Sequence, residues 1–260
     1  MPDDPPFPDP DDALVLDPGC ARCPALAAGR TEIAWGNGPR DADVLVVGEA
    51  PAAGDPDAAW AGGNHTGLAY TSRHSGRRVR RLVSALGLDG RAFYTNAVKC
   101  FPSAAHPAGA GESGADGVPA DAGPAPDADP PDDRDPTPAE RGRCREHLLA
   151  ELDAVDPTAA LATGRHATAS LLSAEGRELG GFVERVATVE RLPTLGVAVV
   201  PALHPAYAPL WRARLGYADA AAYRAALADA LRAAGVEDVA SPEIGEGDGE
   251  GTGTGNGADE

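Results

Sequence analysis

Three stretches of this chain, residues 1–17, 103–133 and 237–260, carry six, seven and eight acids and not one Lys or Arg. They are built largely of Asp, Glu, Pro, Gly and Ala, with too little apolar surface to offset the entropy of ordering a backbone. They therefore confine what can fold. Residues 1–17 and 237–260 are expected to be disordered acidic ends, and about 104–131 a low-complexity insertion into a surface connection of one domain spanning 18–236. The same stretches change the meaning of the net charge. The whole chain of 260 residues is at −18, yet the three segments contribute −21, so the other 188 residues hold 22 bases against 19 acids. The total argues against a polyanionic partner; the +3 body does not. No apolar run approaches the roughly 18 residues of a membrane helix, and Met1-Pro-Asp-Asp lacks the basic start of a secretory leader, so a soluble, cytoplasmic, monomeric protein without membrane contact is expected.

Within the body, short apolar runs alternate with helical patterns. Val44-Leu-Val-Val-Gly48, Phe93–Val98, Thr158–Ala162 and Val197–Leu203 read as strands buried on both faces. Arg77–Leu86, Pro138–Asp153, His166–Leu172 and Asp219–Ala234 read as helices. This order predicts a three-layer α/β/α sandwich around a central four-stranded parallel sheet. Ligands of such sheets bind beyond the carboxyl ends of the strands. Those ends are Gly48-Glu49-Ala50-Pro51, Asn96–Cys100, Thr163-Gly-Arg-His166 and His204-Pro-Ala-Tyr207, where the polar residues gather.

Four cysteines in a reducing compartment suggest metal ligands before disulfides. Cys20-Ala-Arg-Cys23 is a chelating pair, and Cys100 and Cys144 complete a set of four. The spacing alone suits a four-thiolate zinc as well as an iron–sulfur cluster. Glu49 and His204 each end a strand just ahead of an X-Pro step that holds the exit extended. Asn96 ends an apolar strand, and a buried amide without partners costs roughly 1–3 kcal/mol. A lone strand-end histidine commonly serves structure, but three polar ends on sibling strands make a site. Asp55, in a Gly-Asp-Pro turn, suits a capping group. The run Arg73–Arg81 holds five Arg and no acid, which suits a phosphate clamp or a solvated face. Leu210-Trp-Arg212 could belong to the core.

Taken together, Gly48-Glu-Ala-Pro51, Thr95-Asn-Ala-Val-Lys-Cys100, Arg134-Asp-Pro-Thr-Pro138 ahead of Cys144, and His204-Pro-Ala-Tyr207 resemble the iron–sulfur uracil-DNA glycosylases, family four of their superfamily. The resemblance runs from about Cys20 to Trp211 and includes all four cysteines. Asn64-His-Thr-Gly67 and Tyr70-Thr-Ser-Arg-His-Ser-Gly76 look more like the sibling family five, which removes a wider range of deaminated bases. That sibling has a helping Asp where this chain has Arg73, and it lacks the acid supplied here by Glu49.

The resemblance implies a DNA repair glycosylase acting on uracil-containing DNA. Cys20, Cys23, Cys100 and Cys144 would hold a 4Fe-4S cluster, with zinc as the alternative. Tyr70 would stack on the flipped base, Asn96 would read its edge, and Gly48 and Ala50 would line the pocket. His204 would donate to the departing uracil, and Glu49 and Asp55 would position water and balance the sugar cation. Arg73, Arg77, Leu210 and Arg212 would contact DNA. A non-catalytic iron–sulfur or zinc module that binds DNA is the rival reading.

Overall fold

A computed structural model describes residues 5–106 and 133–240. The insertion expected over about 104–131 lies almost wholly outside these residues, as does most of the acidic tail. The apolar runs form the middle of a seven-stranded sheet. In chain order its strands are β1 (Ala13–Leu14), β2 (Gly36–Asn37), β3 (Val44–Gly48), β4 (Ala92–Asn96), β5 (Ala159–Thr163), β6 (Glu190–Leu192) and β7 (Val197–Ala202). They lie side by side in the order β1-β2-β4-β3-β5-β7-β6. The four central strands are parallel, with Val44 level with Ala92 and Ala159, and Ala160 level with Val199. Every residue of these four is buried. The three outer strands pair antiparallel.

Alternate side chains of each central strand point to opposite faces. Val44, Val46, Leu161 and Val200 meet Val79 and Val83 of α3 (Ser75–Ala85) and Leu227 and Leu231 of α7 (Ala220–Ala234). Leu45, Val47, Ala160 and Val199 meet Leu148 and Leu152 of α4 (Pro138–Val155) and Leu171 and Leu172 of α5 (Arg165–Ala174). The result is the three-layer α/β/α arrangement. Three short helices, α1 (Pro24–Gly29), α2 (Gly63–Thr66) and α6 (Ala208–Arg214), sit in the connections. No helix among the described residues is long and apolar enough to cross a membrane.

The first of the three acidic segments departs from expectation. Asp9 caps a 3-10 turn at Pro10–Asp12, Ala13 and Leu14 pair with Asn37 and Gly36, and Phe7 sets its ring edge against Trp60 at 5.2 Å. At the other end, Val239 is buried and the Ala240 N–H donates to the Leu86 carbonyl. In both places backbone hydrogen bonds and apolar side chains, Leu14 and Leu16 at one end and Val239 at the other, attach the chain to the folded body. Composition is blind to such attachment.

Thr137 and Glu140 form a capping box at the start of α4, and Arg134 grips Glu140 with Nη1 and Nη2 at 2.8 and 2.7 Å. The Arg134-Asp-Pro-Thr-Pro138 motif is thus a built helix entrance that delivers Cys144 on the second turn. Beneath it lies a buried ion pair: Lys99 Nζ donates to Glu151 at 2.5 Å, to the Thr95 hydroxyl at 2.6 Å and to the Asn96 carbonyl at 2.6 Å. The second Glu151 oxygen accepts the Gly36 N–H. All three protons of the ammonium are used, the condition under which a buried charge is tolerated.

Candidate active site

The carboxyl ends of the four parallel strands lie along one edge of the sheet. Gly48 closes β3, and a Cβ there would overlap Asn96 Oδ1 and stand 2.8 Å from the Tyr70 hydroxyl. Glycine is what lets these two side chains meet at the strand end. Asn96 is 4% exposed, and its Nδ2 has no hydrogen-bond partner among the described residues. An amide held this deep with an unused donor is poised for a ligand.

Tyr70 adopts φ 57°, unusual for an aromatic residue, and its hydroxyl pairs with Thr163 Oγ1 at 2.6 Å. The carbonyl of this strained residue accepts Arg80 Nε at 3.0 Å. Arg80 also donates to Asn37 Oδ1 at 2.6 Å and lies 4.0 Å over the Tyr94 ring. The five-Arg run is thereby corrected. Arg80 is buried, its pKa lowered to about 10 by desolvation, and it braces Tyr70 instead of facing solvent. Arg73, by contrast, is exposed, and Arg77 is half-buried with its guanidinium 5.7 Å from the Trp60 ring. The start of α3 abuts Tyr70 closely enough that a Cβ on Gly76 would stand 2.6 Å from its carbonyl.

His204 follows β7, and its ring packs over Gly164. Its Nδ1 accepts the Ala206 N–H at 3.3 Å, which places the ring proton on Nε2. Burial, reinforced by the nearby His166, lowers its pKa and keeps the ring neutral. Beyond it on the surface stand Tyr207, 52% exposed, and Leu210 on α6, 44% exposed, with Arg212 half-buried two residues on.

Glu49 leaves β3 with its side chain 22% exposed. Its Oε1 is buried without a hydrogen-bond partner, and desolvation pushes its pKa up to about 7. His166 Nε2 lies 4.0 Å from that oxygen and 3.3 Å from Asp135 Oδ2, while Arg141 reaches His166 Nδ1 at 3.3 Å. The hydrogen bond from His166 holds the Asp135 carboxyl below its usual range. Asp55 stands apart in character. It is exposed, and its Oδ1 accepts the Asp57 N–H at 3.0 Å within its own turn. His166, Asp135 and Arg141 carried no assignment in the sequence. His166 was visible as a polar strand end, but its companions come from a different segment and only the fold brings them together.

The four thiols gather around one small apolar cluster. Cys100 and Cys144 are buried with Leu26, Ile33, Trp35 and Val98, and Cys20, Cys23 and Ala50 pack against them. All four are free of disulfides. Arg30 Nη1 donates to Cys100 Sγ at 3.1 Å, the Lys99 N–H to Cys144 Sγ at 3.3 Å, and His147 Nε2 lies 3.4 Å from Cys20 Sγ. Burial raises the pKa of Cys23 and Cys100 and takes Cys144 to about 12. Only Asp17–Cys20–His147 and Glu49–Asp135–His166 bring three ligand atoms within 4.8 Å of one another among the described residues; no three thiols do. A pocket of four free sulfurs met by donors has the chemistry of a thiolate-held metal centre.

Residues 35–231 match the family model of the uracil DNA glycosylase superfamily. A Type-4 uracil-DNA glycosylase of Thermotoga maritima is 26% identical over 189 residues, covering 72% of this chain and 77% of the relative. A Type-5 uracil-DNA glycosylase of Pyrobaculum aerophilum is 29% identical over 215 residues, with the same coverages. With its strand-end site inside the matched span, the chain belongs to the uracil-DNA glycosylase superfamily.

Proposed function

We propose that this protein excises uracil from DNA by hydrolysing the bond between uracil N1 and deoxyribose C1'. The observation that carries this reading is the buried Asn96 amide with a free donor at the end of β4, with a neutral His204 whose proton is on Nε2 at the end of β7 on the same sheet edge. A target base must leave the stack to reach a site this deep. Asn96 Oδ1 then accepts from uracil N3–H while Nδ2 donates to O4; cytosine presents the opposite polarity and is rejected. As the C1'–N1 bond breaks, its electron pair moves onto the uracil ring. The His204 Nε2–H donates to O2, where the negative charge collects. Glu49, ionised above about pH 7, faces the sugar cation and takes the proton of the water whose oxygen bonds to C1'. Asp55 shapes the loop that follows Glu49, and Gly48 and Ala50 leave room for the base. Tyr70, locked by Thr163 and Arg80, supplies the stacking face. Exposed Leu210 and Tyr207 suit filling the vacated stack, and Arg73, Arg77 and Arg212 suit the phosphates.

Cys20, Cys23, Cys100 and Cys144 would hold a 4Fe-4S cluster. Sulfurs on one zinc, at Zn–S of about 2.3 Å, stand roughly 3.8 Å apart, nearer than the spacing here supports. The cluster would tie the N-terminal segment, the strand-end loop and α4 together. The test is excision from uracil, hypoxanthine and xanthine oligonucleotides by the wild type, His204→Ala and Asn96→Asp. Uracil release is expected from the wild type, slowed by roughly 10²-fold in His204→Ala, and lost in favour of cytosine in Asn96→Asp. No release from any of the three bases overturns the reading, and release from all three extends it to the wider range of the sibling family.

A further inference from the structure

Glu49 has an unpartnered buried oxygen, and what faces it is a set of groups with a defined proton arrangement. Arg141 can only donate, so the His166 Nδ1 that it meets at 3.3 Å is an acceptor and the ring proton is on Nε2. That Nε2 lies between two carboxylates, 3.3 Å from Asp135 Oδ2 and 4.0 Å from Glu49 Oε1. The first is its hydrogen-bond partner; the second is in electrostatic contact only. The same trio has the composition of a cation site, but a metal needs the bare Nε2, and Arg141 puts the proton there. His166 is 17% exposed and fixed by being the second residue of α5, with its neighbour Gly164 pressed against His204.

We propose that His166 is a positioning residue of the excision site: clasped by Arg141 and Asp135, it is held with Nε2 4.0 Å from Glu49 and keeps that carboxylate in the orientation and charge state that activation of water requires. The proposal rests on the role given to Glu49 above. The groups facing Glu49 are His166 on α5, Asp135 and Asp133 on the segment entering α4, and Arg141 on α4. His166 and Arg141 favour the ionised carboxylate, and Asp135 and Asp133 oppose it. Removing members of opposite sign must therefore move the acid limb of the rate in opposite directions, which loss of a merely structural contact would not do.

The experiment is single-turnover excision from a uracil-containing duplex between about pH 5.5 and pH 9, where the limb reports the carboxylate. Wild type, His166→Ala, His166→Gln, Asp135→Asn and Glu49→Gln are compared, with a thermal melt of each. His166→Ala is expected to raise the midpoint by roughly 0.5–1 pH unit, and Asp135→Asn to lower it by less, because Asp135 is 76% exposed and screened. His166→Gln, which can present an amide N–H, should return the midpoint toward wild type even if the Ala variant melts early. Midpoints that coincide within about 0.2 pH unit, or that move in the same direction, overturn the proposal. A Glu49→Gln variant that keeps the wild-type rate overturns the role of Glu49 itself, so the two failures are distinct.

Discussion

Glu49→Gln should make this protein more stable at alkaline pH. The Glu49 carboxyl titrates near 4.5 in an unfolded chain and at about 7 in the folded one, where burial is the main cause. Between those values the folded form holds the proton more tightly, so the contribution of Glu49 to stability falls as pH rises from about 4.5 to 7 and stays lost above. At about 1.4 kcal/mol per pH unit the full shift corresponds to about 3 kcal/mol. The side chain keeps 22% exposure, and solvent relaxation reduces this, so a gain of about 1–3 kcal/mol is expected for the neutral isostere at pH 8.5. For a domain of this size that is roughly 3–10 °C in Tm. Melts of the wild type and variant from pH 4 to 8.5 isolate the effect of Glu49 and the groups coupled to it, since titrations remote from the site cancel in the difference. The gain should shrink below pH 7 and vanish near 4.5. A pH-independent difference, or a variant less stable at pH 8.5, would show that the carboxylate is ionised at little cost, and the reasoning about its base strength would fall with it.

Iron and acid-labile sulfide should each approach four per chain in brown, freshly isolated protein, and Cys100→Ser should lose both; a colourless protein holding one zinc would refute the cluster. Lys99→Met should destabilise by about 3–5 kcal/mol in denaturant titrations, because Glu151 is left charged and 0% exposed, and adding Glu151→Gln should recover part of that loss. Recovery of nothing would mean that the packing of the stem, not the charge, matters. Deleting residues 107–132 and 241–260, each carrying six acids and no Lys or Arg, should raise DNA affinity at low salt. The gain should fade at molar salt, where the screening length falls to about 3 Å; a gain that persists there would place the effect outside electrostatics.

The four central strands and the helices that cover them were legible in the chain because their signal is local. A run such as Val44–Gly48 has to be buried on both faces wherever it goes, and the boundaries of all four strands fall within two residues of the apolar runs. The strand-end residues Glu49, Asn96 and His204 were legible for a related reason: a parallel sheet brings its carboxyl ends to one edge by topology alone. What stayed hidden was partnership across segments. Nothing in Arg73–Arg81 distinguishes Arg80, which turns inward to hold Tyr70 and Asn37, from its exposed neighbours. Residues 13–14 joined the sheet through backbone pairing that their acidic surroundings do not advertise. His166, Asp135 and Arg141 became one electrostatic unit only when α5 and the entrance to α4 packed beside β3. Periodicity records which face of an element is apolar, and that is set residue by residue. The protonation, strain and aim of a polar side chain are set by whichever distant group lands within about 4 Å of it, and that distance exists only in the folded molecule.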